Sequence, residues 1–389
     1  MAAARGITDG PDTSRMAGEV PSHAALAERY SDLYETLRRY AHEADVAGHL
    51  PDEVLTALRS SGILGAAIRA EHGGQGGDAR LTNRLIEQVA AADPSVAIIL
   101  FQHYAVSARI DEWGTPQQRD RYLPRLASGE WLAASAWSET GAGADKRNIA
   151  TKAVRTDEGW LLDGAKAFTT GAGLASVYLV LAQSAEPTND GGSYGSDGQT
   201  FYLVEADTPG LIADTGMDLV GMRASATGFV ELHNCRVPDS AVLGPEGTAV
   251  RIIAGVRESG ATLGAVALGI AEAARALALG HARRRGLRGQ QAVSFRLVDL
   301  SARVAAARAL VESAGRRDSA DPGTETLYSK LVASQVAEEA VQEAARLLGS
   351  AGFLQDHPLN RMARDVRAVG LMGPVSDLCR QLVSAPWTH

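Results

Sequence analysis

Cysteine is almost missing from this 389-residue chain, which has only Cys235 and Cys379. Two thiols so far apart build neither a disulfide framework nor a metal cage, so a reducing cytoplasm is the expected compartment and no metal site is indicated. Positive charge is also scarce: 38 Lys and Arg face 46 Asp and Glu, for a net charge of −8. Gripping nucleic acid relies on clustered cations against phosphate, so no nucleic-acid partner is expected. No stretch of about twenty uninterrupted apolar residues occurs, so no membrane association is expected either. Residues 1–22 lack the basic-then-apolar order of a secretion signal. Rich in Ala, Gly, Pro, Ser and Asp without periodicity, they read as a flexible tail.

What is present divides into three regions. The chain is 45% hydrophobic, enough to bury a large core shared by two or three packed subdomains. Across 23–130 the pattern is helical. Leu26, Tyr30, Leu33, Leu37 and Tyr40 recur every three or four residues and predict one amphipathic helix. Pro51 is expected at the first position of a second helix that Gly62 closes, and Thr115-Pro116 starts another that Gly129 ends. The glycine-rich 73–77 segment has no preceding strand signature and no following Lys-Ser/Thr, so it reads as a turn rather than a phosphate cradle.

Across 131–245 the period shifts toward two. Short, partly β-branched runs at 151–155, 159–163, 177–181 and 229–232 are separated by Gly, Asp or Pro turns, the pattern of a β domain. The polar stretch 186–199 reads as an exposed loop. From 246 to 389 long Ala-rich helical runs return, with the composition of an antiparallel bundle. A bundle beside a β domain and a second helical domain makes clefts suited to a cofactor. The fold class is therefore α+β, mainly α.

Two segments of the β domain carry chemistry. In 138–145, Ser-Glu-Thr-Gly-Ala-Gly-Ala-Asp, a hydroxyl and glycine amides are suited to the edge of a flavin, where negative charge develops at N1 and O2 on reduction. The second segment, Lys166 to Ala172, offers the Phe168 ring to flank a flat cofactor and the Thr170 hydroxyl to reach its N5 region. The basic run Arg283, Arg284, Arg285 and Arg288 is open to two readings: a solvated helix end or a phosphate contact.

On these residues the chain resembles the acyl-CoA dehydrogenase family. Residues 138–145 match its Thr-Glu-Pro-Gly-Ala-Gly-Ser-Asp pattern and 168–171 its Trp/Phe-Ile-Thr-Asn pattern, while 122–130, 235–238, 266–271 and 349–353 fall in the family's order. The resemblance spans about 25–385. It implies a helical N-terminal domain, a central β domain and a C-terminal four-helix bundle, with FAD held between subunits of a homodimer or homotetramer. Trp137, Ser138, Gly143 and Thr170 would line the flavin and Phe168 would flank it. Arg285 would reach the diphosphate of a neighbouring subunit's FAD, with Arg346 and Gly349 in the corresponding motif of the bundle.

The departures weigh as much. Gly373 stands where the family has its catalytic glutamate, Arg346 where it has glutamine, and Ala144 where a serine holds the thioester's pantetheine arm; the segment after Arg285 is shortened. Dehydrogenation of an acyl thioester removes an α proton as a β hydride leaves, so a positioned carboxylate is the expected base. Glu258, one residue from a place where relatives resembling isovaleryl-type enzymes carry their glutamate, is the candidate. The resemblance thus implies an FAD-dependent oxidoreductase acting on an acyl thioester borne by CoA or an acyl carrier protein, in secondary metabolism, with an electron-transfer partner. The alternatives are a monooxygenase served by a flavin reductase, with His103 as an acid-base group, and a flavin-binding protein without turnover.

Overall fold

A computed structural model describes residues 20–141, 146–186, 195 and 197–388. Residues 1–19 of the expected tail and most of the 186–199 loop lie outside these residues; Val20 and Pro21 are held by hydrogen bonds from Arg84, Ser22 accepts from the Ala25 amide, and Gln199 is buried at the start of a strand.

The N-terminal region is helical, with one departure from the periodicity. The stripe from Leu26 to Leu37 is buried as a single face, yet the helix is interrupted: α1 (His23–Arg29) ends and α2 (Ser31–Ala47) begins at Tyr30, whose φ of −112° is not helical. Spacing reports which side faces the core and not whether the backbone is continuous. The Tyr30 hydroxyl bonds the Gln75 side chain, tying the break to the glycine-rich turn. In that turn the amides of Gln75, Gly76 and Gly77 donate to the carbonyls of Gly65, Ile68 and Ala66, so they are used internally. Pro51 sits at the cap just before α3 (Asp52–Ser60) rather than inside it. The region is completed by α4 (Ala79–Ala92), α5 (Pro94–Trp113) and α6 (Pro116–Ser128), the last opened by a reciprocal Thr115–Gln118 capping box.

The central strands are β1 (Ala133–Ala136), β2 (Lys152–Thr156), β3 (Gly159–Thr169), β4 (Val177–Gln183), β5 (Gln199–Glu205), β6 (Leu211–Asp214), β7 (Gly228–Val237) and β8 (Val242–Leu243). They run in the order β6-β7-β3-β2-β4-β5-β8, with β1 parallel to β4. Alternation assigns the faces of β4 and β5. Val177, Leu179, Leu181, Phe201 and Leu203 pack against α5, α6 and α7 (Ala249–Glu258), while Tyr178, Val180, Tyr202 and Val204 pack within the β domain against Trp160 and Val230.

The C-terminal bundle consists of α8 (Gly264–Arg284), α9 (Gln291–Arg316), α10 (Pro322–Leu348) and α11 (Pro358–Leu371), followed by α12 (Ser376–Ser384). α8 is its centre and is covered by α4, α9 and α10. Its length and composition would also suit a membrane span, but more than half of it is buried inside the protein.

One polar cluster joins all three regions. Arg364 on α11 makes a two-pronged contact with Asp45 of α2, at 2.9 and 2.5 Å, and donates to the Val220 carbonyl of the β domain. Arg223 donates to the Asp45 carbonyl, and the Met222 amide donates to buried Asp365. Burial pushes the Asp365 carboxyl up to about 6, an effect its bond from Met222 only partly offsets. The loop lies so close that a Cβ on Gly221 would meet the Arg364 carbonyl carbon at 2.5 Å. Arg364→Ala strips the buried Asp45 of its partner, and the partial exposure of Arg364 limits the cost to about 1–3 kcal/mol. Chemical denaturation should show that loss, with Arg364→Lys restoring only part of it because an ammonium cannot contact both oxygens in the same plane; an unchanged midpoint for Arg364→Ala would remove the cluster as a tie between domains.

Candidate functional site

The two β-domain segments singled out in the sequence meet in space. Residues 137–138 leave the end of β1, and 168–170 leave the end of β3; the Ala167 amide donates to the Ser138 carbonyl at 2.8 Å and fixes the two ends side by side. At the turn Phe168 adopts a φ of 54°, uncommon for a side chain of that size. Its ring is 64% exposed. An apolar ring held outward by a left-handed backbone is suited to cover a flat ligand.

Beneath the turn lies a buried ion pair. Lys166 on β3 is completely buried and its ammonium is 2.6 Å from Glu139, next to Ser138. The Glu139 carboxylate also accepts from the Ala150 amide and from both the amide and hydroxyl of Thr151. Burial raises the Glu139 pKa, but Lys166 and these bonds outweigh it and hold the carboxyl below its usual range. Burial pushes the Lys166 ammonium down to about 8, with Glu139 opposing the shift.

Both hydroxyls above this pair receive a hydrogen bond from the protein. Lys146 donates to Ser138 Oγ at 2.6 Å, and Thr227 Oγ1 donates to Thr170 Oγ1 at 3.1 Å, in a chain begun by Ser225. A hydroxyl that accepts from behind keeps its own proton for an acceptor in front. Ser138, Thr170 and the Phe168 ring therefore form a donor-and-face set that fits a flavin edge. Trp137 follows β1, and its half-buried indole packs 4.9 Å from the Phe201 ring, against the core. Gly143 and Ala144 lie outside the described residues.

The other candidates lie on the helices or at their ends. His103 is fully buried on α5, with Nε2 3.2 Å from the Leu64 carbonyl, and burial pushes it down to about 4. A ring with no exposed surface touches no ligand, so His103 is a packed structural histidine and not a cleft acid-base group. Glu258 is exposed at the last position of α7, against the start of α10, where a Cβ on Gly323 would lie 3.8 Å from its Cγ. Arg285 is exposed just past the end of α8 beside Arg283 and Arg284. Arg346 is exposed on α10 and pairs with Glu343, and Gly349 terminates α10 with a φ of 56°. Around Gly373 the backbone is pinned, because buried Lys330 donates to the carbonyls of Met372 and Pro374. Glu139, Lys146, Lys166 and Lys330 escaped the sequence reading; two of these lysines lie inside the quoted motifs or next to them.

Comparison with known proteins follows this layout. The acyl-CoA dehydrogenase N-terminal, middle and C-terminal domain profiles match residues 21–130, 134–235 and 250–385. A probable acyl-CoA dehydrogenase, FadE25 of Mycobacterium tuberculosis, is 32% identical over 92% of this chain and 95% of its own. The butyryl-CoA dehydrogenase of Megasphaera elsdenii has a solved structure with a TM-score of 0.87 and 28% identity, covering 96% of this chain and all of that one. FkbI, described as serving biosynthesis of the methoxymalonyl extender unit of the polyketide Fk520, has a TM-score of 0.81 at 28% identity, over 92% of this chain and 99% of that one.

Breaking the Glu139–Lys166 pair from the two sides should cost different amounts. Glu139→Ala strands a buried ammonium and is expected to cost about 3–5 kcal/mol in chemical denaturation. Lys166→Met should cost less, because three donors remain on the carboxylate, and the double variant should cost less than the sum. Additive costs would show that the pair is not coupled.

Proposed function

Because the chain belongs to the acyl-CoA dehydrogenase family, a family of flavin-dependent oxidoreductases, we propose that it binds FAD against the Ser138 and Thr170 loops and oxidises an acyl thioester between its α and β carbons. The observation that carries this reading is the side-by-side placement of the two loops, joined by the Ala167 to Ser138 bond, with both hydroxyls backed by donors and the Phe168 ring turned outward. When bound, FAD supplies the two-electron acceptor that takes the β hydride. The residues of this chain do the rest. Ser138 and Thr170 donate to the ring edge, Phe168 covers one face, and Arg285 reaches the diphosphate of a neighbouring subunit's FAD in a homodimer or homotetramer.

The proton side is where this chain departs from its relatives. As the hydride leaves Cβ, the Cα–H pair forms the new double bond and its proton passes to a base. At 373 the backbone is held by Lys330 and carries no side chain. Glu258 is the carboxylate proposed in its place, reached from the end of α7. The substrate is an acyl group on CoA or on a carrier protein of secondary metabolism, a reading supported by the likeness to FkbI and by Ala144 at the place of a pantetheine contact. An electron-transfer partner then reoxidises the flavin.

The test is anaerobic mixing of the FAD-loaded protein with a panel of acyl-CoA and acyl-carrier thioesters, followed by the absorbance of oxidised flavin. Bleaching with at least one thioester is the expected result. No bleaching, together with oxygen incorporated into a substrate when reduced flavin is supplied, would replace dehydrogenation with oxygenation. Glu258→Gln should leave FAD content intact and slow bleaching by at least 100-fold, on the order of what a positioned base contributes; an unchanged rate would remove Glu258 from the mechanism.

A further inference from the structure

The donor behind Ser138 is a lysine, and a lysine brings charge where a second hydroxyl would not. Lys146 is 3% exposed, follows directly on the 138–145 segment, and places its ammonium 2.6 Å from Ser138 Oγ. Its backbone is fixed as well, since the Gln199 side chain donates to the Lys146 carbonyl at 2.6 Å. An ammonium has three donors and no lone pair, so in this contact Ser138 Oγ can only accept. The serine proton is thereby turned away from Lys146, toward whatever acceptor lies in front of the loop. On the opposite hydroxyl, Thr170, the equivalent donor is neutral Thr227. The two ends of the site are therefore built differently: one charged, the other not.

We propose that Lys146 is a positioning residue that raises the reduction potential of FAD bound at this site, by orienting the Ser138 proton toward the pyrimidine edge of the ring and by holding a positive charge one hydroxyl behind it. The proposal rests on the FAD reading above. A neutral ring that gains a hydride gains one negative charge, spread over N1 and O2. A fixed cation one hydroxyl behind that edge favours the reduced ring over the oxidised one, and in a buried site it is weakly screened. Burial pushes the Lys146 ammonium down to about 8, the neighbouring Lys166 adding to the shift and Glu139 opposing it, which leaves it protonated at neutral pH. The buried Glu139–Lys166 pair below supplies the rigidity, because it anchors the residue adjoining Ser138.

The experiment measures FAD affinity in both oxidation states, by titration of apoprotein and by the midpoint potential of the holoprotein in a spectroelectrochemical cell. For Lys146→Met the affinity for oxidised FAD should stay within about threefold of wild type. Affinity for reduced FAD should fall at least tenfold more, a drop in midpoint of about 30 mV or greater for a two-electron couple. Lys146→Arg keeps the charge and should retain more than half of that ratio. Should Lys146→Met not fold, as judged by circular dichroism, Lys146→Gln carries the same expectation with a polar side chain. An unchanged midpoint in folded, FAD-loaded Lys146→Met or Lys146→Gln overturns the proposal, as does an equal drop in Lys146→Arg, which would indicate a packing effect. Failure of wild type to take up FAD overturns the flavin assignment itself, an outcome visible before any variant is compared.

Discussion

A single buried carboxylate, Glu139, sets the geometry on which the site depends. It accepts from Lys166 on β3, from Thr151 and Ala150 at the entry to β2, and it follows Ser138 at the end of β1. Three chain segments far apart in sequence are thus fixed to one point. Such a group tolerates little: a buried charge missing one donor is costly, whereas a fully satisfied one rigidifies its surroundings. That rigidity lets Ser138 and Phe168 occupy strained or exposed positions without being drawn back into the fold. The positive φ of Phe168 and its outward ring are affordable because the residue two positions earlier is locked beneath it.

A second constraint works at the junction of the three regions. The Arg364–Asp45 contact and the Met222–Asp365 bond press the 215–227 loop against α11, and the same loop presents Ser225 and Thr227 to Thr170. The bundle therefore reaches one of the two site hydroxyls through the β domain. It also holds the segment around Gly373. Lys330 on α10 holds the carbonyls on both sides of Gly373, so the segment where the family leads one to expect a carboxylate is fixed here with no side chain to use.

How far the sequence exposes all this depends on the kind of interaction. The strand run at 177–181, the capped ends of α6 and the hydroxyl-bearing loops are local patterns, readable over a few residues, whereas β5 begins in a stretch that reads as an exposed loop. The break at Tyr30 escapes the periodicity because a hydrophobic stripe continues across it when the next helix starts in register. Trp137 lies just before the quoted pattern, and its half-buried indole packs against Phe201 because a strand-end side chain follows the alternation of its strand. The Glu139–Lys166 pair spans 27 residues and gains its meaning only when β1 and β3 lie side by side. Lys146 was hidden for a related reason: a lysine in a polar segment looks solvated until packing covers it. His103 was the reverse case, a polar residue whose neighbours are all core.

In the proposed dehydrogenation, the missing carboxylate at 373 and the buried ammonium at 146 bear on opposite halves of one reaction. Removal of an α proton and departure of a β hydride share a transition state, so a weaker base can be offset by a more avid electron acceptor. The hydride half is governed by how well the site tolerates negative charge on the ring, and that is the half Lys146 touches. The proton half is governed by a carboxylate near Cα, and Gly373 leaves it to another residue. A substrate with a more acidic α proton needs less from a base, since the barrier to its removal falls as the carbanion becomes better stabilised. Acyl groups carrying an electron-withdrawing substituent meet that condition. In the proposed reaction, such thioesters would ask less of Glu258 as base while still drawing on the charge that Lys146 holds behind Ser138.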